Sequence, residues 1–200
     1  MEERISFTSG AYALEGLLHR SATPLGIVIT HPHPLFGGNM HNSVVETLAR
    51  TYFAAGATTL RFNFRGSGQS QGGYEEGRGE QTDVKAAVDR LHANGVEMVD
   101  VAGYSFGAWV AALAVVAGLK VRRLIMISPP LAFVDFTPIQ SLPPLHLVVS
   151  GDKDEIAPVD AIGRALPVWQ PRAHFEIIAG ADHFYSGHLE ALAERLRMHL

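Results

Sequence analysis

The stretch that organises the chain is Val99-Asp100-Val101-Ala102-Gly103-Tyr104-Ser105-Phe106-Gly107-Ala108-Trp109. Val99 and Val101 are β-branched and lie in an apolar run of strand length. Residues 108–117 are small or apolar and predict a helix that ends at Gly118. A chain that passes from strand to helix this quickly must turn tightly. Small neighbours are therefore required on both sides of Ser105.

This turn places Ser105 at a position suited to chemistry. It lifts the hydroxyl above the edge of the sheet and directs backbone N–H groups and the positive end of the helix toward it. The Gly-x-Ser-x-Gly pattern also arises by chance in glycine-rich chains, and this chain has 20 glycines. Because serine is a weak nucleophile at its ordinary pKa, the turn indicates catalysis only if a base and an orienting acid lie elsewhere.

Composition limits the classes of protein to which the chain can belong. Its 200 residues predict one domain, 1–200, and 47% hydrophobic with 18% charged residues is typical of a globular protein. A net charge of −4 with no long basic run argues against nucleic acid or a membrane as partner. Cysteine is absent, which excludes disulfides and a cysteine nucleophile. Without an export signal or a membrane-spanning stretch, the expected location is cytoplasmic.

Strand-like and helix-like patterns alternate along the chain. The first two strands suggest an antiparallel hairpin. Predicted strands lie at 5–7, 14–18, 26–30, 58–64, 99–102, 121–127, 145–150 and 174–178, and predicted helices lie near 43–55, 84–91, 108–117, 160–166 and 187–199. This alternation predicts an α/β fold with a mostly parallel twisted sheet, helices on both faces, and sites at the carboxyl ends of the strands.

The base that Ser105 requires is predicted to be His183. It lies in the last strand-to-helix loop, and imidazole is the side chain that takes and returns a proton near neutral pH. His188 lies further along and is expected to cap the following helix or to face solvent. His174 begins a strand and points away along the sheet.

The third member must hold the imidazole in one tautomer, which requires a carboxylate at another strand end. The stretch Gly151-Asp152-Lys153-Asp154-Glu155 offers three carboxylates. Asp154 is the preferred candidate, because Gly151 and Asp152 occupy the exit from the strand. Asp152 stays an alternative, although it is also suited to capping the turn. Glu155 is the third candidate.

The order Ser, Asp, His along the chain is characteristic of one serine hydrolase fold. Five stretches of the sequence carry a resemblance to that fold: Gly103-Tyr104-Ser105-Phe106-Gly107, His31-Pro32-His33-Pro34-Leu35-Phe36-Gly37-Gly38-Asn39, Arg65-Gly66-Ser67-Gly68-Gln69-Ser70, Gly151-x-x-Asp154 and Asp182-His183-Phe184. On these residues the chain resembles the α/β-hydrolase superfamily, as a compact serine hydrolase close to the dienelactone hydrolase branch. Dienelactone hydrolases use a cysteine nucleophile, so their substrate does not carry over.

The resemblance implies an oxyanion hole built from two backbone N–H groups. One belongs to Phe106, the residue after the serine. Matching the loop after the first parallel strand assigns the other to Leu35. The prolines of that loop have no N–H, while His33 and Phe36 stay open as alternatives.

Two motifs have some features of a phosphate-binding loop or a metal site, but each lacks part of the required pattern. The glycine-rich stretch at residues 65–79 lacks the Lys-Ser/Thr ending of a phosphate-binding loop and the spacing of a dinucleotide fingerprint. His31-Pro32-His33 could begin a metal site, but no further ligand motif follows it. The histidines are expected instead to shape the loop through hydrogen bonds to neighbouring backbone. We therefore expect no cofactor and no metal.

The interval at residues 129–144 is too short for a lid domain, so the site is expected to be open. Candidate walls are Phe36, Tyr104, Phe106, Phe133, Phe136 and Tyr185. An open, apolar site favours short-chain carboxylic esters as small-molecule substrates. A peptidase or thioesterase with the same residues, a metal-dependent hydrolase, and a non-catalytic binding protein are the alternatives. The oligomeric state is left open.

Overall fold

A sheet of eight strands extends through the chain, as seen in a computed structural model that describes residues 1–200. The strands are β1 (Glu3–Ser9), β2 (Tyr12–His19), β3 (Leu25–Thr30), β4 (Thr58–Phe62), β5 (Met98–Tyr104), β6 (Leu124–Ile127), β7 (Leu145–Gly151) and β8 (His174–Ile178). Their order across the sheet is β1-β2-β4-β3-β5-β6-β7-β8. β2 pairs antiparallel with both β1 and β4, and all other pairs are parallel. The predicted mostly parallel sheet is confirmed.

Helices cover both faces of this sheet. They are α1 (Ser43–Ala54), α2 (Arg78–Ala93), α3 (Phe106–Val116), α4 (Val159–Trp169) and α5 (Leu189–Arg197), with a short 3₁₀ helix at Pro34–Phe36. Side chains of β3 alternate between the faces, as a strand requires. Ile27 and Ile29 pack with α1 and α5, and Val28 packs with α2 and α3. Both faces are buried, which explains why β3 reads as a continuous apolar run.

Several element boundaries differ from the sequence-based expectation. α3 begins at Phe106 and not at residue 108, so the helix starts directly after the serine. α4 continues to Trp169 although Pro167 lies inside it. Burial drives this extension, because Trp169 is 3% exposed and packs with its ring centroid 5.3 Å from that of Phe136.

The interval between β6 and β7, residues 128–144, forms turns and contains no helix. The expectation of little or no lid is thus confirmed. The carboxyl ends of β3, β5, β7 and β8 are left facing a common, uncovered edge. Of the five helices, none combines the length and apolarity that crossing a membrane requires.

Candidate active site

Ser105 lies in a strained turn between β5 and α3. Its φ is 54° and its ψ is −120°, a conformation rare for residues other than glycine. The flanking glycines are required by close packing. A β-carbon at Gly103 would lie 2.5 Å from the backbone of Ala108, and one at Gly107 would lie 2.6 Å from Oγ1 of Thr30. This close packing fixes the turn, and Ser105 therefore lies directly after the carboxyl end of β5.

The structure brings together the three residues that the sequence singles out. Nε2 of His183 is 2.9 Å from Oγ of Ser105. On its other side, Nδ1 of the same ring is 2.9 Å from both carboxylate oxygens of Asp154. With its proton on Nδ1, the imidazole donates to the carboxylate and accepts the serine hydroxyl proton. All three residues are buried.

Asp154 is held in its ionised form by its surroundings. Its Oδ1 accepts the backbone N–H groups of Ile156 at 3.0 Å and Ala157 at 2.7 Å. Burial alone would raise the pKa of this carboxyl. Hydrogen bonds from His183, Ser128 and the Ala157 backbone outweigh burial and hold the pKa below its usual value. A carboxylate in this state stabilises positive charge on the imidazole.

The alternative residues have other contacts. Oδ1 of Asp152 accepts the N–H of Gly180 at 2.7 Å and so ties the loop after β7 to the loop after β8. His188 has its Nδ1 2.8 Å from the carbonyl of Ser186. His174 begins β8, at the opposite end of that strand from His183.

Two tyrosines support the site without having been singled out for this role. The hydroxyl of Tyr104 donates to the carbonyl of His183 at 2.7 Å. The hydroxyl of Tyr185 lies 2.9 Å from Oγ of Ser128, the serine that helps to lower the pKa of Asp154. Burial raises the pKa of both phenols, so they stay protonated. The sequence signal was present, since Tyr104 lies inside the Gly-x-Ser-x-Gly motif, but it does not reveal where a hydroxyl points.

The two histidines of the loop after β3 are engaged on both ring nitrogens. Nδ1 of His31 donates to the carbonyl of Pro32 at 2.6 Å, and its Nε2 accepts the N–H of Phe64 at 3.0 Å. Nδ1 of His33 accepts the N–H of Leu35 at 3.2 Å, and its Nε2 donates to the hydroxyl of Tyr74 at 3.1 Å. No group of three or more His, Asp or Glu side chains is arranged to hold a metal ion.

The backbone N–H groups of this loop are not equally available. That of Leu35 is engaged with His33, and that of Phe36 donates to the carbonyl of His33 at 3.1 Å. The N–H of His33 itself has no partner in the chain. Phe106 is the first residue of α3, so its N–H has no acceptor in the helix.

The glycine-rich stretch at residues 65–79 is held by a buried ion pair. The guanidinium of Arg65 contacts Asp83 at 2.8 Å and Glu75 at 2.7 Å. Asp83 also accepts the hydroxyl proton of Ser9 at 2.6 Å. These contacts fix the loop that carries Tyr74 against His33, so the glycines serve loop packing.

A cavity of about 290 Å³ opens beside Ser105. No Asp, Glu, Lys or Arg lines it. Of the predicted walls, Phe36, Tyr104, Phe106 and Phe133 line the cavity. The prediction is wrong for Phe136, which packs in the core against Trp169, and for Tyr185, which is fully buried. Phe184 was missed. The complete lining is Pro32, His33, Phe36, Gly37, Gly38, Asn42, Tyr104, Ser105, Phe106, Pro130, Phe133, Val134, Ile156, His183 and Phe184.

Comparison with known proteins places this geometry in a family. No model of a known protein family matches the chain. An uncharacterised protein of Rickettsia prowazekii strain Madrid E is 32% identical over 209 residues, covering 98% of this chain and 88% of that protein. An α/β serine hydrolase homologue from Coxiella burnetii is 36% identical, with a TM-score of 0.92 and coverage of 99% and 97%.

A lid-free α/β serine hydrolase from Xanthomonas campestris is 31% identical, with a TM-score of 0.91 and coverage of 98% and 92% of the two chains. Assignment to the dienelactone hydrolase branch stays a prediction. At these identities, this coverage and these TM-scores, the chain belongs to the α/β serine hydrolases.

Proposed function

We propose that the protein hydrolyses carboxylic ester bonds of small substrates through an acyl-enzyme intermediate on Ser105. The hydrogen-bonded series from Ser105 through His183 to Asp154 carries this proposal, because it ends at a cavity open to a ligand. The uncharged lining of that cavity supports a neutral substrate. It offers no cation for the phosphates of a thioester carrier or for a peptide carboxylate.

The reaction proceeds in two halves. Nε2 of His183 takes the Oγ proton as Ser105 attacks the ester carbonyl, and Asp154 stabilises the imidazolium that forms. The imidazolium then returns the proton to the leaving alcohol, which leaves the acyl group on Ser105. Water attacks this acyl-enzyme with His183 again as base. The acid is released and the serine regains its proton.

The tetrahedral intermediate requires donors for its oxyanion. The N–H of Phe106 supplies one, at the positive end of α3. Among the loop candidates Leu35, Phe36 and His33, the free N–H of His33 favours that residue as the second donor. The φ of His33 is −56°, a value that proline adopts.

Two variants separate the backbone of His33 from its ring. His33→Ala removes the ring and keeps the N–H, whereas His33→Pro removes both. Losing an oxyanion donor lowers turnover by about 10²–10³, so we expect the proline variant to fall this far below the alanine variant. Equal kcat for the two would return the assignment to Leu35 or Phe36.

The proposal is tested by fluorophosphonate labelling read by mass spectrometry, with p-nitrophenyl acetate turnover measured alongside. The expected result is one adduct on Ser105 and a loss of roughly 10⁶ in kcat for Ser105→Ala. Ser186→Ala, the same change at an exposed serine, is the control and keeps both labelling and turnover. Turnover that survives Ser105→Ala, or an adduct elsewhere, would refute the mechanism.

A further inference from the structure

Exposed aromatic rings surround the mouth of the cavity. The chain has 10 phenylalanines, and the exposed ones are Phe36 at 73%, Phe133 at 57% and Phe184 at 66%. All three line the cavity beside Ser105. Scattered exposed apolar residues need no explanation, but their collection around one cleft marks a surface that a ligand covers.

Two of these rings come from different loops and meet face to edge. The centroids of Phe36 and Phe133 lie 5.8 Å apart with an interplanar angle of 71°. The ring of His33 extends the group, at 4.8 Å from Phe36 and 6.4 Å from Phe133. Phe106 lies beneath it at 4.7 Å from His33. Distances and angles of this kind are those that aromatic rings adopt in packed clusters, and here the outer side is open.

The size and charge of the cavity restrict what can complete this cluster. A volume of about 290 Å³ lies at the lower end of the range for small-molecule sites. No Asp, Glu, Lys or Arg side chain lines it, so no permanently charged group is present to pair with a charged ligand. Since no lid or tunnel encloses the cavity, a long acyl chain would extend into solvent.

We propose that the substrates are small uncharged esters that carry an aromatic ring, which packs against Phe36 and Phe133. This inference rests on the ester hydrolysis proposed above and adds the substrate class. The ring adds an edge-to-face contact that an aliphatic group of equal size cannot make. The selectivity therefore arises from aromaticity and not only from buried apolar area.

Matched pairs of esters test the inference by pH-stat titration. Ethyl phenylacetate is compared with ethyl cyclohexylacetate for a ring on the acyl side. Benzyl acetate is compared with cyclohexylmethyl acetate for a ring on the alcohol side. We expect kcat/KM to be about two- to tenfold higher for the aromatic member of at least one pair.

Variants at the rim assign the preference to its source. Phe36→Leu/Phe133→Leu keeps the mouth apolar and removes two rings, so the aromatic-to-cyclohexyl ratio should fall to near one. Phe53→Leu makes the same change on α1, where the ring stacks on His19 away from the cavity, and leaves the ratio as in the wild type.

Equal kcat/KM within both pairs would overturn the inference, as would a ratio that persists in the double variant. A higher rate on ethyl decanoate above its solubility would also overturn it, because the rim would then contact an apolar aggregate. Failure of the proposed function itself is distinct: ethyl acetate would not be hydrolysed and Ser105 would not be labelled.

Discussion

Acidification between pH 6.5 and pH 4 is expected to destabilise the fold through one histidine, His31. Its ring is completely buried, donates from Nδ1 to the carbonyl of Pro32 and accepts the N–H of Phe64 at Nε2. Protonation would remove the only acceptor for that N–H. Burial accordingly lowers the pKa of His31 from 6.5 to about 4.

The sign of the effect follows from which state binds the proton. The unfolded chain takes a proton on this imidazole below about pH 6.5, whereas the native protein stays neutral there down to about pH 4. The contribution of His31 to the free energy of unfolding is therefore fully present above pH 6.5 and is lost as the pH decreases toward 4. A pKa difference of about 2.5 corresponds to a loss of about 3 kcal/mol in the free energy of unfolding at a pH below both pKa values. Native proteins typically have a free energy of unfolding of about 5–15 kcal/mol, so this contribution is a large part of the total.

Urea unfolding at a series of pH values from 7 to 4.5 measures this contribution. His31→Gln keeps a side-chain hydrogen-bond acceptor without a titratable group and provides the comparison. We expect the wild type to lose about 2 kcal/mol more than the variant over this interval. Other titrating groups are shared by the two proteins, so their effects cancel in the difference. Parallel pH dependences in the two proteins would refute a neutral, buried His31.

Three substitutions test other parts of the structure. Asp83→Asn leaves the buried guanidinium of Arg65 without its main counter-charge and should cost about 3–5 kcal/mol in urea unfolding; a cost below about 1 kcal/mol would contradict this. Tyr104→Phe leaves the carbonyl of His183 without its donor, at about 1–3 kcal/mol, and should lower kcat on p-nitrophenyl acetate. Gly107→Ala forces a methyl group against the end of β3, at about 1–3 kcal/mol with reduced kcat; wild-type stability and activity would show that the turn has room.

The sequence predicts the helices and strands correctly where one physical cause dominates the pattern of residues. Burial on both faces makes β3 a run of β-branched residues, and one-sided burial gives α2 its stripe of Val84, Ala87, Val88 and Leu91. Element ends depend instead on tertiary contacts. α4 runs past Pro167 because the core holds Trp169, and no local pattern contains that contact.

The candidate site divides in the same way. Ser105, Asp154 and His183 could be selected from the sequence because each follows a strand end and because the reaction requires one residue of each type. The cavity walls could not. Phe133 and Phe136 are equally apolar and three residues apart, yet one is exposed at the cavity and the other lies in the core. Their segment has no regular periodicity that would assign each side chain to a face.

Backbone strain is concentrated around the candidate catalytic residues. Four non-glycine residues have positive φ, and three of them, Ser105, Ser128 and Tyr185, lie around Asp154 and His183. Such conformations cost about 1–3 kcal/mol each and persist only when the surroundings impose them. Here the sheet imposes two of them.

The hydrogen bonding of neighbouring strands continues into these strained residues. Ser105 donates its N–H to the carbonyl of Ile127 at 2.9 Å, and Ser128 donates to that of Val149 at 2.8 Å. The backbone of Ser105, the proposed nucleophile, and that of Ser128 are thus fixed by β6 and β7 before any ligand arrives. A site organised in this way needs no lid to assemble it. Phe36 and Phe133 at the mouth of the cavity then act on substrate selection alone. Replacing both residues should change which esters are hydrolysed far more than it changes the chemistry at Ser105.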